Sequence, residues 1–479
     1  MRYDVIIIGA GLGGLTAGAK LAREGKKVLL IEQHSKPGGC ATTFKRGDFT
    51  FEVGLHEMDG PSPRDMKTRI FRELDVFDNV EFIKVPEFYH FVSDHLRINI
   101  PHDPSEAALI LKNKFPDESD GIDAFYSQIL NPKRKPDANG IVKDKSLGEF
   151  LDSIIRNDDL KLVLLGNLGY FHDDPYSISL TYYSVAQGSY LNGGASYIRG
   201  GSQKLSDHLM AYINKHGGNV VLKYLVTGFI IENDKLVGVE YKKQRGSSSG
   251  IETAFADEIV ANAAIPNVAE LLPEKYGRRL KNQIKNLKAG ASLLTIYFGF
   301  KSPLKNIGHQ HYSTFVFDSS IKTQSDILKN NKGDFSRRSF TFIDYGQIDS
   351  GLAPEGKSVG AICCIDYLKD WEDLSDKQYN SRKEDVAKIF IGRLEKLIPG
   401  ISEEIEYYEA GTSLTIKRYT LNPEGAVYGF AQTPGRPVID TSDIFNNLHF
   451  ASAWGKTGGG FSGAIYSGFL CAYNILRKK

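Results

Sequence analysis

Residues 4 to 32, DVIIIGAGLGGLTAGAKLAREGKKVLLIE, constrain the fold more than any other part of the chain. The run from Asp4 to Ile8 is β-branched without polar alternation, as in a strand buried on both faces. Gly9, Gly11 and Gly14 follow as G-x-G-x-x-G, and Leu15, Ala19, Leu21 and Ala22 then give a helix its apolar face before Gly25 stops it. Lys27 to Ile31 reads as a second strand, ending at Glu32. In such a βαβ unit Gly9 permits the tight turn, Gly11 lets a pyrophosphate reach the backbone, and Gly14 allows close helix packing. The helix N-terminus turns its free N–H groups toward phosphate. Glu32, 18 residues after Gly14, stands where a carboxylate accepts from an adenosine ribose. A lone G-x-G-x-x-G equally suits a glycine turn without ligand, but strand, helix, strand and acid in register point to a bound nucleotide. This unit leaves NAD and FAD both open.

The chain has 479 residues, too many for one simple core, so two domains built from interleaved segments are expected. With 41% hydrophobic and 24% charged residues and a net charge of +1, it reads as an ordinary globular protein with no field for nucleic acid. Cys40, Cys363, Cys364 and Cys471 form no C-x-x-C pair, which suits a reducing compartment and a cytoplasmic location. The apolar start is too short for a signal peptide's core, and the apolar runs fall short of a membrane span. Contact with a membrane is expected to be peripheral at most.

The second glycine pair, in Ser35-Lys36-Pro37-Gly38-Gly39-Cys40-Ala41-Thr42-Thr43, follows directly on the ribose acid. Here the sequence resembles flavoproteins whose second glycine loop meets the FAD pyrophosphate and ribityl chain. The longer stretch EQHSKPGGCATTFKRGDFTFEVGLHEMDG, residues 32 to 60, is similar to the FAD-dependent retinol saturase, carotenoid isomerase and phytoene desaturase group. Residues 409 to 429, EAGTSLTIKRYTLNPEGAVYG, resemble the stretch that leads those chains back to the cofactor, with Lys417, Arg418, Tyr419 and Tyr428 as polar candidates. Residues 447 to 453 read as a strand, followed by Gly458, Gly459 and Gly460 and a helix from about Ser462 to Arg477; this is similar to the family's last motif, which faces the isoalloxazine ring.

The resemblance implies an α/β fold: an FAD-binding Rossmann-like domain of the glutathione-reductase type with a second, mixed α+β substrate domain. FAD-binding segments are expected at 1–60, 194–270 and 425–479, and substrate-domain segments at 61–193 and 271–424, the latter as a mostly β platform over the flavin. It further implies cofactor contacts from Gly9, Gly11, Leu12, Gly13, Gly14, Glu32, Gln33, Gly38, Gly39, Cys40, Ala41, Thr42, Val226, Ala453, Gly459, Gly460, Phe461 and Ser462. Two departures stand out. Cys40 lies where the family commonly has arginine or another polar residue, and Ser452 and Ala453 lie where many members carry an acid.

The implied chemistry is reduction of one C=C bond in a conjugated polyene, retinoid or carotenoid-like lipid, with hydride from flavin N5 and NAD(P)H as external reductant. Rivals on the same fold are carotenoid cis/trans isomerisation, desaturation and amine oxidation; a further rival is a non-catalytic FAD or isoprenoid carrier. His56, in GLHEM, is the candidate proton donor or positioning group, weighed against a purely structural histidine; Glu57 and Tyr312 follow it. Tyr182, Tyr183, Tyr190, Phe298, Tyr312, Phe315 and Phe317 are read individually as sheet core and collectively as a tunnel lining. His309 and His311 would share one face of an extended strand, but no Cys, Asp or Glu beside them completes a ligand set, so no metal is expected. PKRKPDANG, residues 132 to 140, is expected to be an exposed basic loop.

Overall fold

A computed structural model describes residues 2–63, 65–132, 144–244 and 250–478. Most of the expected basic loop, from residue 133 onward, lies outside them. The fingerprint strand Arg2–Ile8 is the centre of a seven-stranded sheet. Five of its strands run parallel in the order Asn219–Leu222, Val28–Glu32, Arg2–Ile8, Glu252–Ala261, Leu448–Phe450. The meander Tyr224–Glu232 and Lys235–Lys243 adds antiparallel to the first half of Glu252–Ala261. Parallel strands present their carboxyl ends on one edge, and there a ligand crevice opens.

The helix Leu12–Arg23 covers this sheet and is crossed by the last helix, Gly460–Arg477. Buried Ile465, Gly468, Phe469, Ala472 and Ile475 recur at helical spacing, so one stripe of the last helix seals against the first. The crossing is close: a Cβ on Gly468 would lie 2.1 Å from the Gly13 carbonyl oxygen.

A second seven-stranded sheet has the order Ile405–Gly411, Ser292–Phe300, Ser358–Asp366, Phe340–Asp344, Ser313–Val316, Tyr89–Val92, Arg97–Ile100. Its two faces follow the period of two along Ser292–Phe300. Leu294, Ile296, Phe298 and Phe300 enter a core with Trp371, Phe390 and Leu394, whereas Leu293, Thr295 and Tyr297 point the other way, into a cavity.

The sequence pattern did not announce what covers the outer face. It is a 22-residue helix, Asp376–Leu397, in a region expected to be mostly β. Ser375 and Gln378 form its capping box, and Val386, Phe390 and Leu394 bury its inner stripe. His309 and His311 are not on a strand: pairing begins only at Ser313. Their rings meet edge-on at 6.2 Å, His311 stacks on His90 at 3.7 Å, and among the described residues no group of three potential ligands could hold a metal.

Candidate functional site

The two N-terminal glycine loops are joined to each other. The Gly38 N–H donates to the Ala10 carbonyl at 2.7 Å, and Gly11 and Gly38 form an isolated parallel bridge. Gly38 holds φ +122°, and a Cβ there would lie 2.1 Å from the Ala41 carbonyl oxygen, so glycine is required. Glu32 ties the same corner: its carboxylate accepts the Ala10 N–H at 2.6 Å and the His34 N–H at 2.7 Å. Burial raises its pKa, and these N–H groups oppose that rise. The helix that begins at Leu12 has no side-chain cap, since Gly11 is its N-cap, and the last helix likewise starts from Gly459 without one. Both helix starts therefore offer bare N–H groups.

These loops border a cavity of about 1330 Å³. Its lining includes Gly9, Gly11, Leu12, Glu32, Gln33, Gly38, Gly39, Cys40, Ala41, Thr42, Val226, Ala453, Gly459, Gly460, Phe461 and Ser462. Gly13 and Gly14 do not line it; they are taken up by packing against Ala451, Gly9 and Asn262. Burial pushes the Cys40 thiol up to about 11, so it stays a neutral, inert wall residue. Among the aromatic candidates Tyr182, Tyr190, Phe315 and Phe317 line the cavity, joined by Tyr170, Phe171, Tyr297 and Phe340; Tyr183, Phe298 and Tyr312 stand behind the wall. Arg418, Tyr419 and Tyr428 line it and Lys417 does not.

Where the second sheet approaches the glycine loops, the segment 54–59 is held with unusual firmness. Buried Glu52 accepts from Gly54 N–H, Leu55 N–H, Ser202 N–H and the Ser202 hydroxyl, at 3.2, 3.1, 2.7 and 2.6 Å. Met58–Asp59 then pairs with Ala195–Ile198. In between, three successive carbonyls each accept a tyrosine hydroxyl: Leu55 from Tyr345 at 2.9 Å, His56 from Tyr312, and Glu57 from Tyr190 at 3.3 Å. His56 and Glu57 both line the cavity. Burial lowers the His56 pKa to about 4, so its ring is neutral at neutral pH.

Sequence reasoning missed three contributors. Asn262, just beyond the strand Glu252–Ala261, donates its side-chain N–H to the Gly9 carbonyl at 3.3 Å and lines the cavity. Its place after a buried strand, matching that of Gly9, was the available signal. Asp59 accepts from the Ser462 hydroxyl and pairs with fully buried Lys67 at 2.8 Å. No local pattern connects residues so far apart.

A model of the flavin containing amine oxidoreductase family matches residues 12–476. The chain belongs to that family. It is an FAD-dependent oxidoreductase, with the α/β architecture expected of one. This flavoprotein is 29% identical over 516 residues to prolycopene isomerase 2, chloroplastic, of an Oncidium hybrid cultivar, covering 99% of this chain and 84% of that one. To all-trans-retinol 13,14-reductase of Danio rerio it is 27% identical over 545 residues, covering 99% and 86%. The crystal structure of an oxidoreductase from Methanosarcina mazei superposes with a TM-score of 0.68 at 17% identity, covering both chains fully. The flavoprotein thus aligns along nearly its whole length with the curated relatives. Among the described residues no helix is long and apolar enough to cross a membrane.

Proposed function

We propose that this flavoprotein reduces one C=C bond of a conjugated polyene, of retinoid or carotenoid type. The observation that carries the reading is the cavity: at about 1330 Å³ it exceeds the roughly 300–1,000 Å³ of a single-ligand pocket, and its wall beyond the glycine loops is predominantly apolar, with a cluster of aromatic rings among polar residues such as Arg46, Lys383 and Glu409. The two curated relatives named above, one a polyene isomerase and one a polyene reductase, support the substrate class.

In this reading segments 1–60, 194–270 and 425–479 make the FAD-binding half, and 61–193 and 271–424 the substrate half; the membership of the two large sheets supports it. FAD fits the cradle: two uncapped helix starts and the joined glycine loops suit its pyrophosphate, and Glu32 suits a ribose. The remaining cavity-lining glycines with Leu12, Gln33, Cys40, Ala41, Thr42, Val226, Ala453, Phe461 and Ser462 complete its surroundings, and Gly13 and Gly14 act through the helix they let in. Bound there, FAD supplies two-electron hydride chemistry. The protein's own part is to exclude water, orient the polyene along the aromatic wall, and set His56 and Glu57 against it.

Glu32→Leu is expected to weaken FAD binding by about 10- to 100-fold, the worth of a hydrogen bond to a charged group, as read by fluorescence titration of the apoprotein. An unchanged affinity would remove Glu32 from the site.

The deciding experiment mixes the purified, anaerobically reduced protein with polyenes delivered in lipid vesicles. Exposed Val185, Tyr419 and Leu421, which also line the cavity, suit uptake from such a surface. The expected product has gained two hydrogens and lost long-wavelength absorbance, with NADPH serving as external reductant. A product of unchanged mass and altered geometry would instead establish the isomerase, the second reading, which the prolycopene isomerase relatives favour. Hydrogen peroxide release with amines and no action on polyenes would overturn both.

A further inference from the structure

We propose that Glu57, a cavity-lining residue with a buried, unpartnered carboxyl on a backbone clamped by three tyrosines, is the residue that protonates the substrate carbon. This rests on the polyene-reductase reading above.

Four observations converge. Glu57 is 6% exposed, yet it belongs to the cavity wall. Among the described residues neither of its carboxyl oxygens has a hydrogen-bond partner. A carboxylate in that setting would cost far more than the neutral acid, so the proton stays on the carboxyl until a ligand seated in the cavity gives it somewhere to go. The groups close enough to bear on it are acids and phenols, Asp59 and Glu87 with Tyr170, Tyr190 and Tyr312, and none of them is a cation that would favour its ionised form. Burial first, and then Asp59 and Glu87, raise its pKa well above the ordinary value of 4.5, whereas burial makes neighbouring His56 a neutral ring with no imidazolium proton to give. Finally, the hydroxyls of Tyr345, Tyr312 and Tyr190 hold the carbonyls of residues 55, 56 and 57, which fixes the direction in which the carboxyl leaves the chain.

In the step, the Glu57 O–H bond breaks as a C–H bond forms on one alkene carbon. The other carbon takes the hydride that the flavin chemistry supplies, its two electrons coming from the external two-electron reductant. Glu57, left as carboxylate, regains a proton from water, and the net change is addition of two hydrogens.

The test uses the full-length holoprotein with Glu57→Gln, which keeps shape and neutrality but has no acidic proton, and Glu57→Asp. Polyene reduction by pre-reduced Glu57→Gln is expected to slow by about 100- to 10,000-fold with flavin content unchanged. Glu57→Asp should recover part of the rate, and product made in D2O by the wild type should carry one deuteron from solvent. A second readout needs no turnover: the melting temperature of the wild type minus that of Glu57→Gln. The unfolded carboxyl ionises above pH 4.5 while the folded one stays neutral well beyond it, so this difference should fall as pH rises from there. A pH-independent difference, or reduction by Glu57→Gln within about threefold of the wild type, overturns the assignment. A wild type inert toward every polyene would sink the proposed function and this role together. An active wild type with an equally active Glu57→Gln sinks this role alone.

Discussion

Gly13→Ala is expected to yield a protein destabilised by about 3 kcal/mol or more and purified largely without flavin. A Cβ at residue 13 would stand 1.8 Å from the Ala451 carbonyl oxygen and 2.8 Å from the Asn262 side-chain oxygen. The first of these is backbone at the end of the parallel strand Leu448–Phe450, which cannot swing aside as a side chain would. The first helix must therefore back away from the strand ends, and its uncapped start withdraws from the crevice where the pyrophosphate is proposed to sit. Gly392→Ala is the matched control. It lies in the interior of the helix Asp376–Leu397 with nothing within 4 Å of the added carbon, so the same methyl should stabilise by about 1 kcal/mol. Urea midpoints and the ratio of flavin to protein absorbance measure both. A flavin-replete Gly13→Ala of wild-type stability would mean that the helix is not held by this contact.

The contrast between these glycines shows what a sequence can disclose. The fingerprint at 4–32 is legible because all its parts are local: strand, turn, helix and acid follow at fixed spacing, and the structure keeps them as Arg2–Ile8, Leu12–Arg23 and Val28–Glu32. The terminal motif is legible for the same reason, although its strand shrinks to Leu448–Phe450 because only those residues find partners on Glu252–Ala261. The helix Asp376–Leu397 escaped notice because its first two turns are polar and solvent-facing; only the stripe Val386, Phe390, Leu394 reports its face, and the capping box at Ser375 and Gln378 was the unused signal. The aromatic residues divide by sheet parity. Phe298 follows the inward register of Leu294 and Ile296, and Tyr297 the cavity register of Thr295, so residue type alone could not sort core from wall. His309 and His311 looked paired only on the assumption of a strand that starts too late to contain them. The surroundings of Glu57 depend on Tyr190, Tyr312 and Tyr345, which the chain brings in from far away; GLHEM by itself names the histidine and gives no reason to prefer its neighbour.

Lys67→Met should destabilise the protein by about 3–5 kcal/mol, the cost of breaking a buried ion pair from one side. Lys67 is fully buried and its ammonium lies 2.8 Å from both Asp59 and Asp65. These acids in turn accept the hydroxyls of Ser462 and Tyr466, on the first two turns of the last helix. One lysine is thus shared by two carboxylates that tie the segment after Glu57 to the helix start beside the cavity. Methionine fills much of the volume but leaves buried Asp59 and half-buried Asp65 without this cation, and their mutual repulsion acts on the attachment of Ser462. The loss should appear in urea unfolding together with a lowered flavin content, because Gly459 and the first residues of the last helix, Gly460, Phe461 and Ser462, line the cavity. Adding Asp59→Asn to Lys67→Met removes one of the stranded charges, so the double variant should recover about 1–3 kcal/mol relative to Lys67→Met alone. Simple additivity of the two losses would show that Lys67 and Asp59 act independently. Recovery of stability without recovery of flavin would locate the effect on the cofactor at Ser462, since asparagine keeps the side chain's shape but offers that hydroxyl a weaker acceptor than the carboxylate.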